Sequence, residues 1–230
     1  MAAAETNYDS AKQISSNPVI YVFENFLSPI ECDHIIACAR DNMSRAEVTL
    51  DKTNAKSVER TNNVNWIPHQ QTSIIQSITQ RTSELMGIPL VHAEDLQVIH
   101  YAESQEYRPH FDAWDPGTEV GKRCMAQGGQ RLLTCLIYLN DVEEGGGTVF
   151  PTLDLEVRAQ KGRLVMFHNC HPGTNSIHPD SLHGGMPVVK GEKWACNLWF
   201  RERQFQNVVA NADKAGSARR VIWRIQPRSA

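Results

Sequence analysis

An α+β fold, in which a β-sandwich or barrel carries helices on its outside, is what this 230-residue sequence predicts. Three observations lead there. Two segments with helical apolar spacing come before residue 90. From Leu96 onward the pattern changes to short β-branched and aromatic runs. Turn-forming clusters such as Asn140-Asp141 and Gly145-Gly146-Gly147 divide those runs. Helices first and many short strands afterwards suit a strand core with helices packed against it.

Taken in order, residues 1–17 are small and polar and read as a flexible leader. Val19-Ile20-Tyr21-Val22-Phe23 is a strand by composition. In Ser28-Pro29-Ile30-Glu31, serine can cap a helix, proline fits its first position and glutamate completes a capping box. The helix is expected to run to Arg40 with Ile30, Ile35, Ile36 and Ala39 inward. Residues 41–65 are polar and irregular, a loop with at most short strands. Pro68 is expected to open a second helix carrying Ile74, Ile75, Ile78, Leu85 and Met86, which Gly87-Ile88-Pro89 stops. Strands are expected at 96–101, 108–112, 132–139, 148–150, 163–167 and 193–201, with Lys161-Gly162 as a turn. Residues 18–205 then form one domain, and 206–230 an extension in which Val221 to Ile225 could add an edge strand.

A net charge of −3 and a pI near 6.3 give no basic face for nucleic acid. No apolar run spans a bilayer, and Met1-Ala2-Ala3-Ala4-Glu5 lacks the parts of a secretory signal, so a cytoplasmic protein without a membrane partner is expected. Cys32, Cys38, Cys124, Cys135, Cys170 and Cys196 form no Cys-x-x-Cys pair and read as buried free thiols.

The chemistry centres on His110-Phe111-Asp112. Side chains alternate along a strand, so His110 and Asp112 project together while Phe111 turns into apolar packing. One imidazole and one carboxylate are two thirds of the facial triad that holds non-haem Fe(II) with open positions. A tripeptide of this kind also occurs on ordinary surface strands. Downstream, His183 is a candidate third ligand, with His168, His171 and His178 as rivals that position alone does not separate from it. His168-Asn-Cys-His171 could itself form a thiol-imidazole site. In the last strand Lys193, Ala195, Asn197, Trp199 and Arg201 share one face, and Trp194, Cys196, Leu198 and Phe200 share the other, a natural core face. A lysine on the cavity side needs a partner, which a dianionic ligand would supply.

These residues resemble the prolyl 4-hydroxylase family of Fe(II)/2-oxoglutarate dioxygenases over about residues 19–202. The resemblance is carried by Tyr101 and Tyr107 before His110-x-Asp112, by Gly129-Gln130-Arg131 and Tyr138-Leu139-Asn140-Asp141, by Gly145 to Pro151, by Lys161-Gly162, and by His183 with Lys193 ten residues on. It implies a double-stranded β-helix, jelly-roll-like, with the metal in its mouth. It implies His110, Asp112 and His183 as iron ligands, and Lys193 as the cation for 2-oxoglutarate, with Tyr101 and Thr148 beside it. Tyr107, Arg131 and Trp199 are implied near the substrate. The activity implied is hydroxylation of proline in a peptide or protein, at C4, with O2 consumed, succinate and CO2 released and ascorbate as reductant.

Other meanings of the same residues stay open. Tyr101 and Tyr107 could be ordinary strand aromatics, Arg131 an ion-pair partner and Trp199 a core residue. The enzyme could act on a free amino acid or another small molecule, or the barrel could bind metal as a scaffold without catalysis. A zinc hydrolase lacks support, since no His-Glu-x-x-His helix supplies a base. Two departures put the peptide contacts in doubt: Ala113-Trp114 follows Asp112, and Arg201 stands where relatives place a histidine. Residues 116–129 are expected to be a mobile loop over the mouth.

Overall fold

Antiparallel pairing organises the chain. The structure, a computed structural model, describes residues 11–49, 54–55 and 57–206. Its strands are β1 (Ala11–Ser16), β2 (Val19–Phe23), β3 (Ser44–Arg45), β4 (Val48–Thr49), β5 (Asn54–Ala55), β6 (Asn63–Ile67), β7 (Leu96–Tyr101) and β8 (Tyr107–His110). They continue with β9 (Arg131–Tyr138), β10 (Glu144–Gly145), β11 (Thr148–Phe150), β12 (Leu155–Val157), β13 (Leu164–His168), β14 (His183–Gly185), β15 (Val188–Lys190) and β16 (Lys193–Arg201). Among the described residues three α-helices accompany them: α1 (Pro29–Ala39), α2 (Ser73–Met86) and α3 (Glu119–Met125).

A large sheet runs in the order β1-β2-β13-β9-β16-β7-β6-β3, and a small one in the order β12-β11-β14-β8. The large sheet is buried on both faces because its strands alternate between two cores. Val98, Ile137, Leu164, Cys196 and Leu198 pack with Ile35 and Ile36 of α1 and Ile75 and Ile78 of α2. Their sequence neighbours Ile99, Tyr138, Val165 and Ala195 pack with Phe150, Val157 and Val188 from the smaller strands. The second core lies inside a double-stranded β-helix, and the helices cover its outside.

α1 starts at the expected capping box: Ser28 Oγ accepts from Glu31 N at 3.3 Å, and Glu31 Oε2 accepts from Ser28 N at 2.8 Å. Its inner stripe is Cys32, Ile35, Ile36 and Ala39, and Ile30 is corrected to a surface residue, 76 % exposed. Pro68 does not open α2. Thr72 caps that helix from Ser73, and Gly87 ends it in the left-handed conformation at φ +66°. Residues 11–16, expected in a leader, form the edge strand β1 against β2. Residues 63–67, placed partly in a loop, form β6 against β7. Residues 116–129 contain α3, capped by Thr118, where a loop was expected. The leader's first ten residues and the possible strand at 221–225 lie outside the described residues.

All six cysteines are free thiols, with Cys38 and Cys124 partly exposed. Among the described residues no helix is long and apolar enough to cross a membrane.

Candidate active site

Strand register gathers residues that are far apart in sequence. His183 is the Cα partner of His110 across β14 and β8, Thr148 pairs with Gly185 across β11 and β14, and Lys193 pairs with Tyr101 across β16 and β7. Side chains opposite each other in a ladder share one face. A cavity of about 720 Å³ results, lined by all nine residues singled out from the sequence: Tyr101, Tyr107, His110, Asp112, Arg131, Thr148, His183, Lys193 and Trp199.

At the centre, donor atoms of His110, Asp112 and His183 lie within 4.8 Å of one another. Nε2 of His110 is 3.7 Å from Asp112 Oδ1, and Nε2 of His183 is 3.5 Å from Asp112 Oδ2. Each imidazole is oriented from behind, since His110 Nδ1 donates to the Arg108 carbonyl and His183 Nδ1 to the Ser181 carbonyl, both at 2.9 Å. Both rings therefore turn Nε2, the nitrogen a metal would take, inward towards Asp112. Burial, and then the neighbouring His183, push His110 far below the usual histidine range, which keeps it neutral. Burial alone would raise Asp112, but His183, His110 and Arg131 together with the Trp199 hydrogen bond hold it below the usual carboxylate range. Its Oδ2 accepts from Thr134 Oγ1 at 2.7 Å and from Trp199 Nε1 at 2.8 Å. Phe111 does not turn into the core as alternation predicts. β8 ends at His110, so the pleat is lost there, and Phe111 lines the mouth at 40 % exposure.

At one end of the cavity Lys193 is buried with its Nζ over the rings of Tyr101 and Tyr138, at 5.1 and 5.3 Å. Burial lowers its pKa to about 7. Tyr138 OH donates to Thr148 Oγ1 at 2.7 Å, so Thr148 is held in place from behind. Gly185 leaves room here, because a Cβ at that position would sit 3.5 Å from Tyr101 OH and 3.8 Å from Lys193 Nζ.

The model of the 2OG-Fe(II) oxygenase superfamily matches residues 96–201. Prolyl 4-hydroxylase 5 of Arabidopsis thaliana is 35 % identical over 214 residues, spanning 84 % of this chain and 72 % of that protein. The chain belongs to the prolyl 4-hydroxylase family of Fe(II)/2-oxoglutarate dioxygenases. Prolyl 4-hydroxylase 2 of the same plant is 32 % identical over 228 residues, covering 89 % of this chain and 74 % of the relative. Among solved structures, the viral collagen prolyl hydroxylase of Paramecium bursaria Chlorella virus 1, in a 2-oxoglutarate complex, superposes with a TM-score of 0.62 at 29 % identity, over 79 % of this chain and 94 % of that one. A Pseudomonas putida prolyl 4-hydroxylase, at 18 % identity and a TM-score of 0.57, covers 88 % of this chain and all of its own and shares the fold.

The residues present fit the family's metal and cosubstrate. Two imidazoles and one carboxylate are a donor set suited to Fe(II) that leaves positions open. A buried ammonium with no carboxylate beside it among the described residues, in a pocket kept clear by glycine, suits an acid's far carboxylate. The rival histidines do not reach the cavity. His178 Nε2 bonds Asn17 Oδ1 at 2.9 Å and its ring packs on His171, while His168 ends β13.

On the other side of the metal site, the Tyr107 ring stacks on His110 with centroids 3.6 Å apart, and the Arg60 guanidinium covers Tyr107. Arg131 is both a mouth residue and an ion-pair partner. It grips Glu94 through Nε at 2.6 Å and Nη2 at 2.8 Å, lies 3.7 Å from the Trp199 ring centroid, and brings Nη1 to 4.0 Å from Asp112 Oδ1. Sequence reasoning missed Glu94, Thr134 and Asn169, and gave Tyr138 no role beyond the motif that carries the resemblance. Thr134 carried a signal, the one aliphatic hydroxyl inside the apolar strand Leu132 to Leu139. Glu94, 3 % exposed, carried none.

Proposed function

We propose that this chain hydroxylates proline at C4 within a peptide or protein, with Fe(II), 2-oxoglutarate and O2 as its reagents and ascorbate as the reductant. The observation that carries this reading is the meeting of His110, Asp112 and His183 with the buried Lys193 in one cavity. When bound, the metal and the 2-oxo acid supply the oxidation, in which the acid becomes succinate and CO2 and one oxygen atom goes to the substrate carbon. His110, Asp112 and His183 hold the metal. Lys193 pairs with the acid's far carboxylate, and Tyr101 and Thr148 are the hydroxyls that orient it. Tyr107, Arg131 and Trp199 wall the substrate's approach. Trp66 and Phe111, 43 % and 40 % exposed at the mouth, favour an extended peptide over a free amino acid, because proline-rich chains dock on aromatic walls.

Mass spectrometry of proline-rich peptides incubated with Fe(II), ascorbate and 2-oxoglutarate tests this. One added oxygen on proline is expected, and its loss in Asp112→Ala. Turnover of free proline alone would overturn the peptide reading, and no 2-oxoglutarate consumption with any substrate would favour a metal-binding scaffold. The reading places the activity in a single domain over residues 18–205, which deletion of 207–230 tests. Cytoplasmic residence is part of the proposal and is tested by imaging the tagged protein.

A further inference from the structure

Arg201 stands directly opposite Arg131 across β16 and β9, at a bulge between Phe200 and Arg201. Two like charges in register repel, and a bulge re-aims the side chain that carries one of them. Both guanidinia turn to one carboxylate: Arg201 Nε and Arg131 Nε each lie 2.6 Å from Glu94 Oε1. Burial would raise Glu94, but Arg131 and Arg201 hold it ionised, below the usual carboxylate range. The rest of the Arg201 fork points the other way, with Nη1 donating to the carbonyls of Cys124 at 3.1 Å and Gly129 at 2.8 Å. Those carbonyls belong to the end of α3 and its exit. The Trp114 ring, at the start of this crossover, lies 4.5 Å from the Arg201 guanidinium and 4.6 Å from that of Arg131. Trp114 and Val120 in turn line the cavity. With its side chain 2 % exposed, Arg201 offers no face to a substrate.

We propose that Arg201 is a positioning residue. It fastens the crossover 115–129 as the outer wall of the mouth and, through the Glu94 carboxylate that both arginines grip, sets Arg131 against Trp199 and Asp112. The proposal rests on the hydroxylase reading for what passes along that wall. Its physical content is the fork: one side chain bonds a carboxylate and two carbonyls at once, which a lysine's single ammonium does not reproduce.

The test uses the full-length protein with Arg201→Gln, Arg201→Lys and Glu94→Gln, each checked for a cooperative melt. Arg201→Gln is expected to raise the peptide KM about tenfold while the 2-oxoglutarate KM stays within about twofold. Amides of 119–129 should exchange about tenfold faster, with β7 and β16 unchanged. Arg201→Lys should fall between wild type and Arg201→Gln in both readouts, and it decides the matter if the glutamine variant does not fold. Unchanged exchange in 119–129, or equal rises in both KM values, would overturn the proposal. If the wild-type protein hydroxylates no peptide, the hydroxylase reading falls, yet the exchange comparison still decides whether Arg201 holds the crossover.

Discussion

Replacing Lys193 with methionine is expected to stabilise the protein and to destroy cosubstrate binding at the same time. Lys193 is 2 % exposed, and its ammonium has tyrosine rings and no carboxylate beside it among the described residues. Burial lowers its pKa from an ordinary 10.5 to about 7. That gap of 3.5, at about 1.36 kcal/mol per pH unit, corresponds to roughly 5 kcal/mol of desolvation cost as an upper bound. Because the folded value lies below the unfolded one, the charged form opposes folding. The cost is fully present below pH 7 and is relieved as pH rises towards 10.5. Methionine keeps the stem and drops the charge, so about 1–4 kcal/mol should be recovered near pH 6, the range seen when buried charges give way to apolar groups. For a chain of this size each kcal/mol moves Tm by about 2–4 °C. Binding moves the opposite way. A carboxylate left unpaired in the cavity costs about 3–5 kcal/mol, or about two to four powers of ten in Kd. Thermal melts without cosubstrate and calorimetric titration of 2-oxoglutarate into Mn(II)-loaded protein measure the two effects. A lower Tm with an unchanged Kd would refute the reasoning, because Lys193 would then be a structural cation.

The same lysine sets a pH dependence. Above pH 7 it discharges, so 2-oxoglutarate affinity should fall by up to about tenfold per pH unit, with proton uptake on binding, and a flat profile between about pH 7 and 9 would count against it. Trp199→Phe removes the Nε1 donor to Asp112 Oδ2 at 2.8 Å and should weaken metal binding about 10- to 100-fold in a metal titration; unchanged affinity would mean that the bond does not orient the carboxylate. Ser28→Ala breaks the capping box of α1 and should cost about 1 kcal/mol in denaturant unfolding while leaving both KM values alone.

The sequence disclosed the parts of the site that alternate along strands and hid those joined only by tertiary contact. Lys193 and Trp199 could be placed on one face because strand periodicity is rigid, and Trp194, Cys196, Leu198 and Phe200 occupy the core as that periodicity requires. His183 needed the family resemblance, since nothing local distinguishes it from His178. Ile30 was misplaced by hydrophobicity, although the helical stripe of Cys32, Ile35, Ile36 and Ala39 follows the i, i+3, i+4, i+7 rule without it. β6 was obscured by its asparagines: Asn63 and Asn65 alternate with the buried Val64, and pairing with β7 outweighs their low strand preference. Glu94 leaves no pattern because both its partners arrive from other strands.

Asp112 explains why the two ends of the cavity should respond independently. It is the triad's one anion, and its supports beyond the two histidines come from the Arg131 side of the cavity: Thr134 and Trp199 by hydrogen bonds, Arg131 by charge, and Glu94 through Arg131. Lys193, Tyr101 and Thr148 belong to the other end, where the braces are Tyr138 and the ladder of β16 with β7. No ion pair or hydrogen bond among the described residues joins Lys193 to Asp112. Substitutions in the wall of Arg131, Trp199 and Glu94 should therefore change metal affinity and peptide KM together, and those around Lys193 should change 2-oxoglutarate affinity alone. Pairs taken across the two groups should add in free energy, while pairs within one group should not.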